Sequence, residues 1–282
     1  RVKHPGLING IDVATTPEGF KFTHQQFVKE ANLTPAKRAL YGMIQASTYD
    51  NEANLPDDYI SSLYESYPPQ LISAYLRGQF VNLTSGAVYP DFDRKLNHTD
   101  EEIKSGEHLI IGMDFNVLKM AAVVYVIREG KPLALDEMVG VRDTPTMATL
   151  LIERFPFHEM TVIPDAAGQS TSSKNSSESD HQILRDKGFR VEVSGTNPAI
   201  KDRINSVNAL ILNGDGERTL LVNTNKCPRF TETLEQQVYD DFGMPDKKSG
   251  LDHVGDAGGY PLAKRFPIIK PVTRIDLPMF GF

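Results

Sequence analysis

Two near-continuous apolar runs, LIIGMD (109–114) and MAAVVYVI (120–127), mark the middle of the chain. Short apolar runs bounded by turn residues read as buried strands. Only FNVLK separates them, too little for a crossover, so the pattern predicts an antiparallel pair. REGK (128–131) turns the chain into a third strand, PLALDEMVG (132–140). Residues 144–155 place Met147, Leu150 and Leu151 at helical spacing, and EMTVIPD (159–165) reads as a fourth strand. GQSTSSKNSSES (168–179) is polar and reads first as a simply disordered loop by composition, and second as one that could order on substrate. DHQILRDKG (180–188) predicts a helix closed by Gly188, and FRVEV (189–193) a fifth strand. In residues 197–214 apolar positions fall at 200, 204, 207 and 211, one face of a 3.6-residue period. TLLV (219–222) is a short strand. PRFTETLEQQVYDDF (228–242) is a helix with Phe230, Leu234 and Val238 inward. SGLDHVGDAGGYPLAKRF (249–266) is the last helix, although Gly258 and Gly259 weigh against a helix interior.

Upstream, residues 1–100 read as turns and short helices. LPDDYISSLYESYP (55–68) has helical spacing, with Pro56 or Asp57 in its first turn and Pro68–Pro69 as its stop. Residues 68–80 form another short helix, and VNLTSGAVYPDFDR (81–94) a small hairpin. Polar HTDEEIKSGEH (98–108) reads as a linker. Three antiparallel strands followed by alternating helices and strands imply an α/β fold, a mixed sheet flanked by helices. That layout matches ribonuclease-H-like nucleases.

Length changes the picture little: 282 residues suit one large or two modest domains. The first residue is Arg, as expected of a fragment. A single cysteine, Cys227, excludes an internal disulfide and a Cys-rich zinc site, and is expected to be buried and inert. No apolar run has membrane-spanning length and no signal peptide is visible. The expectation is therefore a soluble protein of the cytoplasm, with no membrane partner. The net charge of −7 argues against a nucleic-acid-coated surface but leaves room for a local basic path. Residues 261–282 carry Lys264, Arg265, Lys270 and Arg274 against Asp276 alone. They read first as a solvated tail and second as a DNA contact.

Candidate chemistry comes from acids. Asp114 ends the first strand, Asp165 ends the fourth, and Asp256 lies on the last helix. If the first and fourth strands are neighbours, Asp114 and Asp165 converge at one sheet edge, and the helix could bring Asp256 there. Three carboxylates in one spot repel and raise each other's pKa. Divalent cations relieve this, and hard oxygens suit Mg²⁺ or Mn²⁺. Two such ions about 4 Å apart can activate water and stabilise the leaving oxygen of a phosphodiester. For each acid alone, a turn or helix-cap role is the competing account. Asp252, His253 and Asp256 share one side of a helix. His253 could ligate a metal or bridge to a metal-bound carboxylate; Asp252 could be a ligand or an N-terminal cap. Lys201 and Arg203 could contact phosphates or line a solvated helix face. Asn116 could orient water or serve as a turn residue.

"IGMDFN", "VIPDAAG", "NPAIKDRINSVNALILN" and "LDHVGDAGGY" together resemble the C-terminal nuclease domain of the large terminase subunit of tailed phages, the headful-packaging type most of all. The resemblance is strongest over 109–265. It implies a ribonuclease-H-like fold and three metal-binding acids: Asp114, expected to bridge two ions, then Asp165, then Asp256, with Asp252 competing for the third place and His253 beside it. "ATTPEGF" (14–20) resembles the threonine-rich coupling segment of the packaging ATPase, with Thr15, Thr16, Pro17 and Gly19 as its members. Residues 1–100 are then the end of the ATPase domain and a linker, and 101–282 the nuclease domain. No G-x-x-x-x-G-K-[ST] stretch occurs, so ATP hydrolysis is not expected of this chain alone. The resemblance implies a metal-dependent endonuclease cutting concatemeric double-stranded DNA in the host cytoplasm. Its partners would be DNA, portal, procapsid and the small terminase subunit. The competing expectations are another ribonuclease-H-like nuclease, such as a resolvase, and a non-catalytic packaging or assembly module.

Overall fold

The computed structural model describes residues 10, 12–16, 22–24, 26, 27, 34–39, 41–80, 86–116, 118–166, 179–193 and 195–268. The chain packs as two compact units, 1–56 with 70–83, and 57–69 with 84–282. Among the described residues no helix is long and apolar enough to cross a membrane.

The first unit contains the short helices α1 (Phe22–His24) and α2 (Pro35–Arg38) and a 3-10 segment, Thr48–Asn54. A capping box built by Ser47 and Asp50 opens that segment. Two helices follow in sequence, α3 (Tyr59–Ser66), which belongs to the second unit, and α4 (Pro69–Tyr75). Both are shorter than their periodicity predicts. α3 starts two residues after Asp57, and its N-cap residue Asp58 makes no side-chain cap. Pro69 opens α4, the position where a missing N–H costs nothing. Thr15 and Thr16 are described but Pro17 and Gly19 lie outside the described residues, so the 14–20 segment is only half visible.

The second unit holds a six-stranded mixed sheet ordered β5-β4-β1-β2-β3-β6. Its strands are β1 (Leu109–Asp114), β2 (Met120–Arg128), β3 (Lys131–Val141), β4 (Met160–Pro164), β5 (Arg190–Val191) and β6 (Leu221–Val222). β2 is antiparallel to both β1 and β3, while β4 lies parallel to β1. The helices are α5 (Thr144–Arg154), α6 (Asp180–Asp186), α7 (Ile200–Ile211), α8 (Pro228–Gln236) and α9 (Asp252–Arg265).

Strand parity sorts the core into two layers, because alternate side chains face opposite sides. Leu109, Ile111 and Met113 join Met147, Leu151 and Leu184 of α5 and α6. Ile110 faces the other way, with Ile204, Phe230 and Ala257 of α7, α8 and α9. By the same parity Gly112 and Asp114 lie on the α9 side.

Three expectations need correction. The predicted 81–94 hairpin does not form over its described part, 86–94: Ala87 bridges Val238 instead, and the Val88 N–H donates to the Gln237 carbonyl at 2.8 Å. The same pairing explains why the helix predicted to reach 242 ends at Gln236, and why Val238 is exposed rather than inward. The predicted solvated tail is wrong at its start, since residues 261–265 belong to α9, and Pro261, Leu262 and Ala263 are buried. Lys264 and Arg265 pair with Glu192 at 3.9 and 2.8 Å. Lys270 and Arg274 lie outside the described residues, as does all but the last residue of the 168–179 loop.

α9 reconciles its glycines with a helix interior. It is enclosed by β1, β2, α7 and α8, so small residues mark where neighbours press in. A β-carbon at Gly258 would collide with the Phe230 ring; one at Gly259 would stand 2.8 Å from Arg203 Cγ. Cys227 is fully buried, and burial pushes its thiol far above the ordinary range, as an inert cysteine requires.

Candidate active site

β1 and β4 run parallel with Met113 opposite Pro164. The register carries one step further, because the Asp165 N–H donates to the Met113 carbonyl at 3.0 Å. Asp114 and Asp165 therefore end adjacent strands side by side. They also share a face: Gly112 is paired with Ile163, and each acid lies two residues beyond one of these. Both point to the α9 side of the sheet.

Gly112 sets how close α9 comes. A β-carbon there would overlap the Ala257 carbonyl oxygen and stand 2.6 Å from Pro261 Cδ. Backbone-to-backbone packing brings the preceding turn of α9 to the strand ends. There His253 Nδ1 lies 3.1 Å from Asp114 Oδ2. Asn116 Nδ2 lies 2.7 Å from His253 Nε2. The same amide nitrogen stands 3.2 Å from His253 Nδ1, so Asn116 lies against both ring nitrogens. Asn116 thus touches a histidine and also opens a turn, its carbonyl accepting the Lys119 N–H at 2.9 Å.

Each acid has its own protein partner. Asp165 Oδ1 accepts from Asn197 Nδ2 at 2.5 Å, while Asn197 Oδ1 accepts the Ala166 N–H at 2.8 Å. Asp256 forms a short ion pair with Arg203 Nη2. Asp252 does not cap α9; it is the first helical residue, and its buried Oδ1 has no hydrogen-bond partner. It lies 4.0 Å from His253 Nε2.

Electrostatics bind these groups into one site. Burial first, then the Asp256 carboxylate, pushes the Asp114 pKa up to about 6; His253 opposes this and Asp165 adds to it. Burial also raises Asp256, against the pull of Arg203, with Asp252 adding to the rise.

Arg203 corrects an expectation. It is neither a phosphate contact on the surface nor part of a solvated helix face, but 4% exposed and turned beneath α9. Lys201 is partly exposed. Two residues escaped the sequence reading. Asn197, just before α7, clamps Asp165. His181 of α6 lies 2.9 Å from the Asp165 carbonyl through Nε2, and its buried Nδ1 has no hydrogen-bond partner. Burial lowers its pKa, which favours the neutral ring. Nothing in the polar-apolar pattern distinguishes either from an ordinary turn asparagine or helix histidine.

The donor set suits a hard divalent cation: carboxylate oxygens, one imidazole, and an unsatisfied buried oxygen on Asp252. Yet among the described residues no three His, Cys, Asp or Glu side chains stand in metal-holding geometry. The acids are instead turned to His253, Asn197 and Arg203.

A fold of this topology with acids at the ends of its first and fourth strands defines a ribonuclease-H-like domain. The chain belongs to the terminase large-subunit family: residues 111–265 match the terminase RNaseH-like domain, and residues 4–96 match the N-terminal model of the T4likevirus-type terminase large subunit. Among solved structures, the large terminase of a thermophilic bacteriophage is 19% identical, with a TM-score of 0.65 over 88% of this chain and 60% of that one. The P22 large terminase nuclease domain is 19% identical, with a TM-score of 0.51 over 66% of this chain and 96% of that one. The chain thus spans about 60% of the length of the thermophilic phage protein. No curated protein matches it significantly.

Proposed function

We propose that this chain is the DNA-cutting part of a viral packaging motor, a metal-dependent endonuclease acting on double-stranded DNA. One observation carries the reading: Asp114 and Asp165 end neighbouring parallel strands on one face, where α9 delivers Asp256 and His253. Asp114, Asp165 and Asp256 would hold the ions, with His253 and Asp252 beside them. Two Mg²⁺ or Mn²⁺ ions bound there would supply water activation and charge stabilisation at the departing 3′ oxygen. The chain's own residues position the donors: His253 orients Asp114, Asn197 fixes Asp165, and Arg203 holds Asp256. Outer partners of this kind set ligand direction and basicity.

On this reading residues 1–100 are the end of an ATPase domain with its linker, and 101–282 the nuclease domain. Concatemeric genome DNA is the substrate. Portal, procapsid and small terminase subunit are the partners, met in the host cytoplasm. Phosphate-directed chemistry at such a site reads no bases, so cutting has little sequence preference. The Arg203–Asp256 pair favours one competing reading, a non-catalytic packaging module whose acids are structural.

Cleavage of supercoiled plasmid separates these. The expected result is nicked and linear product with Mg²⁺ or Mn²⁺, and none with chelator or in Asp114→Ala. Cutting that persists without divalent ions contradicts the metal reading, and no cutting under any condition supports the non-catalytic module. Strong preference for a four-way junction or an RNA–DNA hybrid redirects the assignment to another enzyme of this fold.

A further inference from the structure

Arg203 is a cation that α9 itself encloses. Its side chain is 5% exposed and its Nη2 pairs with Asp256 Oδ1. The guanidinium carbon lies 4.8 Å from the Tyr260 ring centroid. Gly259 leaves room for the stem, because a β-carbon there would stand 2.8 Å from Arg203 Cγ and 2.9 Å from Cδ. Asp256, Gly259 and Tyr260 fall at i, i+3 and i+4, one stripe of α9 made to hold this side chain. A guanidinium is always charged and cannot neutralise itself on burial.

We propose that Arg203 is the site's resident cation, a positioning residue that holds Asp256 and keeps the site's affinity for divalent ions low until a phosphate arrives. The inference rests on the metal-dependent reading above. Without ions, the guanidinium offsets part of the repulsion among Asp114, Asp252 and Asp256, so the fold tolerates the buried Asp114 and Asp252 beside the half-buried Asp256. An incoming divalent cation meets the same carboxylates but also a fixed positive charge that cannot withdraw. Attraction and repulsion in so enclosed a place are both weakly screened. A DNA phosphate beside the ions restores the balance, so DNA and metal bind cooperatively. A merely structural arginine predicts the reverse for its removal: a looser site and weaker metal binding.

The test is calorimetric titration of the whole 282-residue chain with Mn²⁺ in the absence of DNA, alongside its melting temperature. R203M is expected to bind Mn²⁺ roughly tenfold tighter than the unmodified chain. It should also melt lower without metal and recover most of that loss when Mn²⁺ is added. R203K, which keeps the charge, should stay near the original affinity. If R203M does not fold, R203Q carries the same expectation, since it keeps a hydrogen bond to Asp256 without the charge. Folded R203M or R203Q that binds Mn²⁺ no tighter, while Asp114→Asn loosens binding, overturns the role of Arg203 alone. If Asp114→Asn leaves Mn²⁺ binding unchanged, the metal reading fails and this inference falls with it.

Discussion

Gly112 on β1 and Ala257 on α9 meet backbone to backbone, with no room for a β-carbon between the strand and the Ala257 carbonyl. This contact fixes the height of α9 above the sheet. It thereby decides whether His253 and Asp256, in the turn before, reach the acids at the strand ends. Gly112→Ala forces the helix outward. The expected cost is about 2–3 kcal/mol of stability in urea unfolding, with a larger proportional loss of plasmid cleavage than of folded protein.

Much of this arrangement was legible in the sequence. The apolar runs at 109–114 and 120–127 located β1 and β2 nearly to the residue, because strands buried on both faces leave no polar interruption. The same runs placed Asp114 at a strand end. Other features were hidden because they depend on contacts distant in sequence. Arg203 reads as a surface cation until Gly259 and Tyr260 are seen to enclose it. Gly258 and Gly259 read as helix breakers until Phe230 and Arg203 are found against them. The overextended helix at 228–242 failed because Val238 pairs with Ala87, which no local period reveals.

Asn197 holds Asp165 through one amide and the adjoining Ala166 N–H through the same side chain. Asn197→Ala should lower cleavage or Mn²⁺ affinity by about 10–100-fold, the usual effect of losing an outer partner of a ligand. Kinetics and calorimetry on the same preparation check this. His253→Ala should fall in the same range.

Asp114 makes stability depend on pH in an unusual direction for a carboxylate. Its folded pKa of about 6 lies above the ordinary 3.8, so the folded state holds the proton longer than the unfolded chain. Metal-free stability should therefore be greatest below pH 4 as far as this group is concerned, and fall as pH rises towards 6. Asp256, with its side chain 32% exposed, shifts the same way and adds to the trend. Asp114→Asn should flatten the slope and stabilise the metal-free protein above pH 6 by about 3 kcal/mol. Melting temperatures from pH 4 to 8 in chelator are the measurement.

Glu137 lies on β3, and its carboxylate accepts the Arg229 and Phe230 N–H groups at 2.7 and 2.8 Å, capping the start of α8 where that helix packs on the strand. Burial raises its pKa, opposed by those two donors. Glu137→Ala leaves two N–H groups unpaired and should cost about 2 kcal/mol or more in denaturant unfolding. Phe230, which packs on Tyr125 and presses on Gly258, would loosen with it.

A crystal grown with Mn²⁺ and read by its anomalous signal addresses the central claim most directly. Two strong peaks should appear at the rim, both touching Asp114, one shared with Asp165 and the other with Asp256. Peaks confined to other parts of the surface, with Asp114 still bound only to His253, would contradict the account.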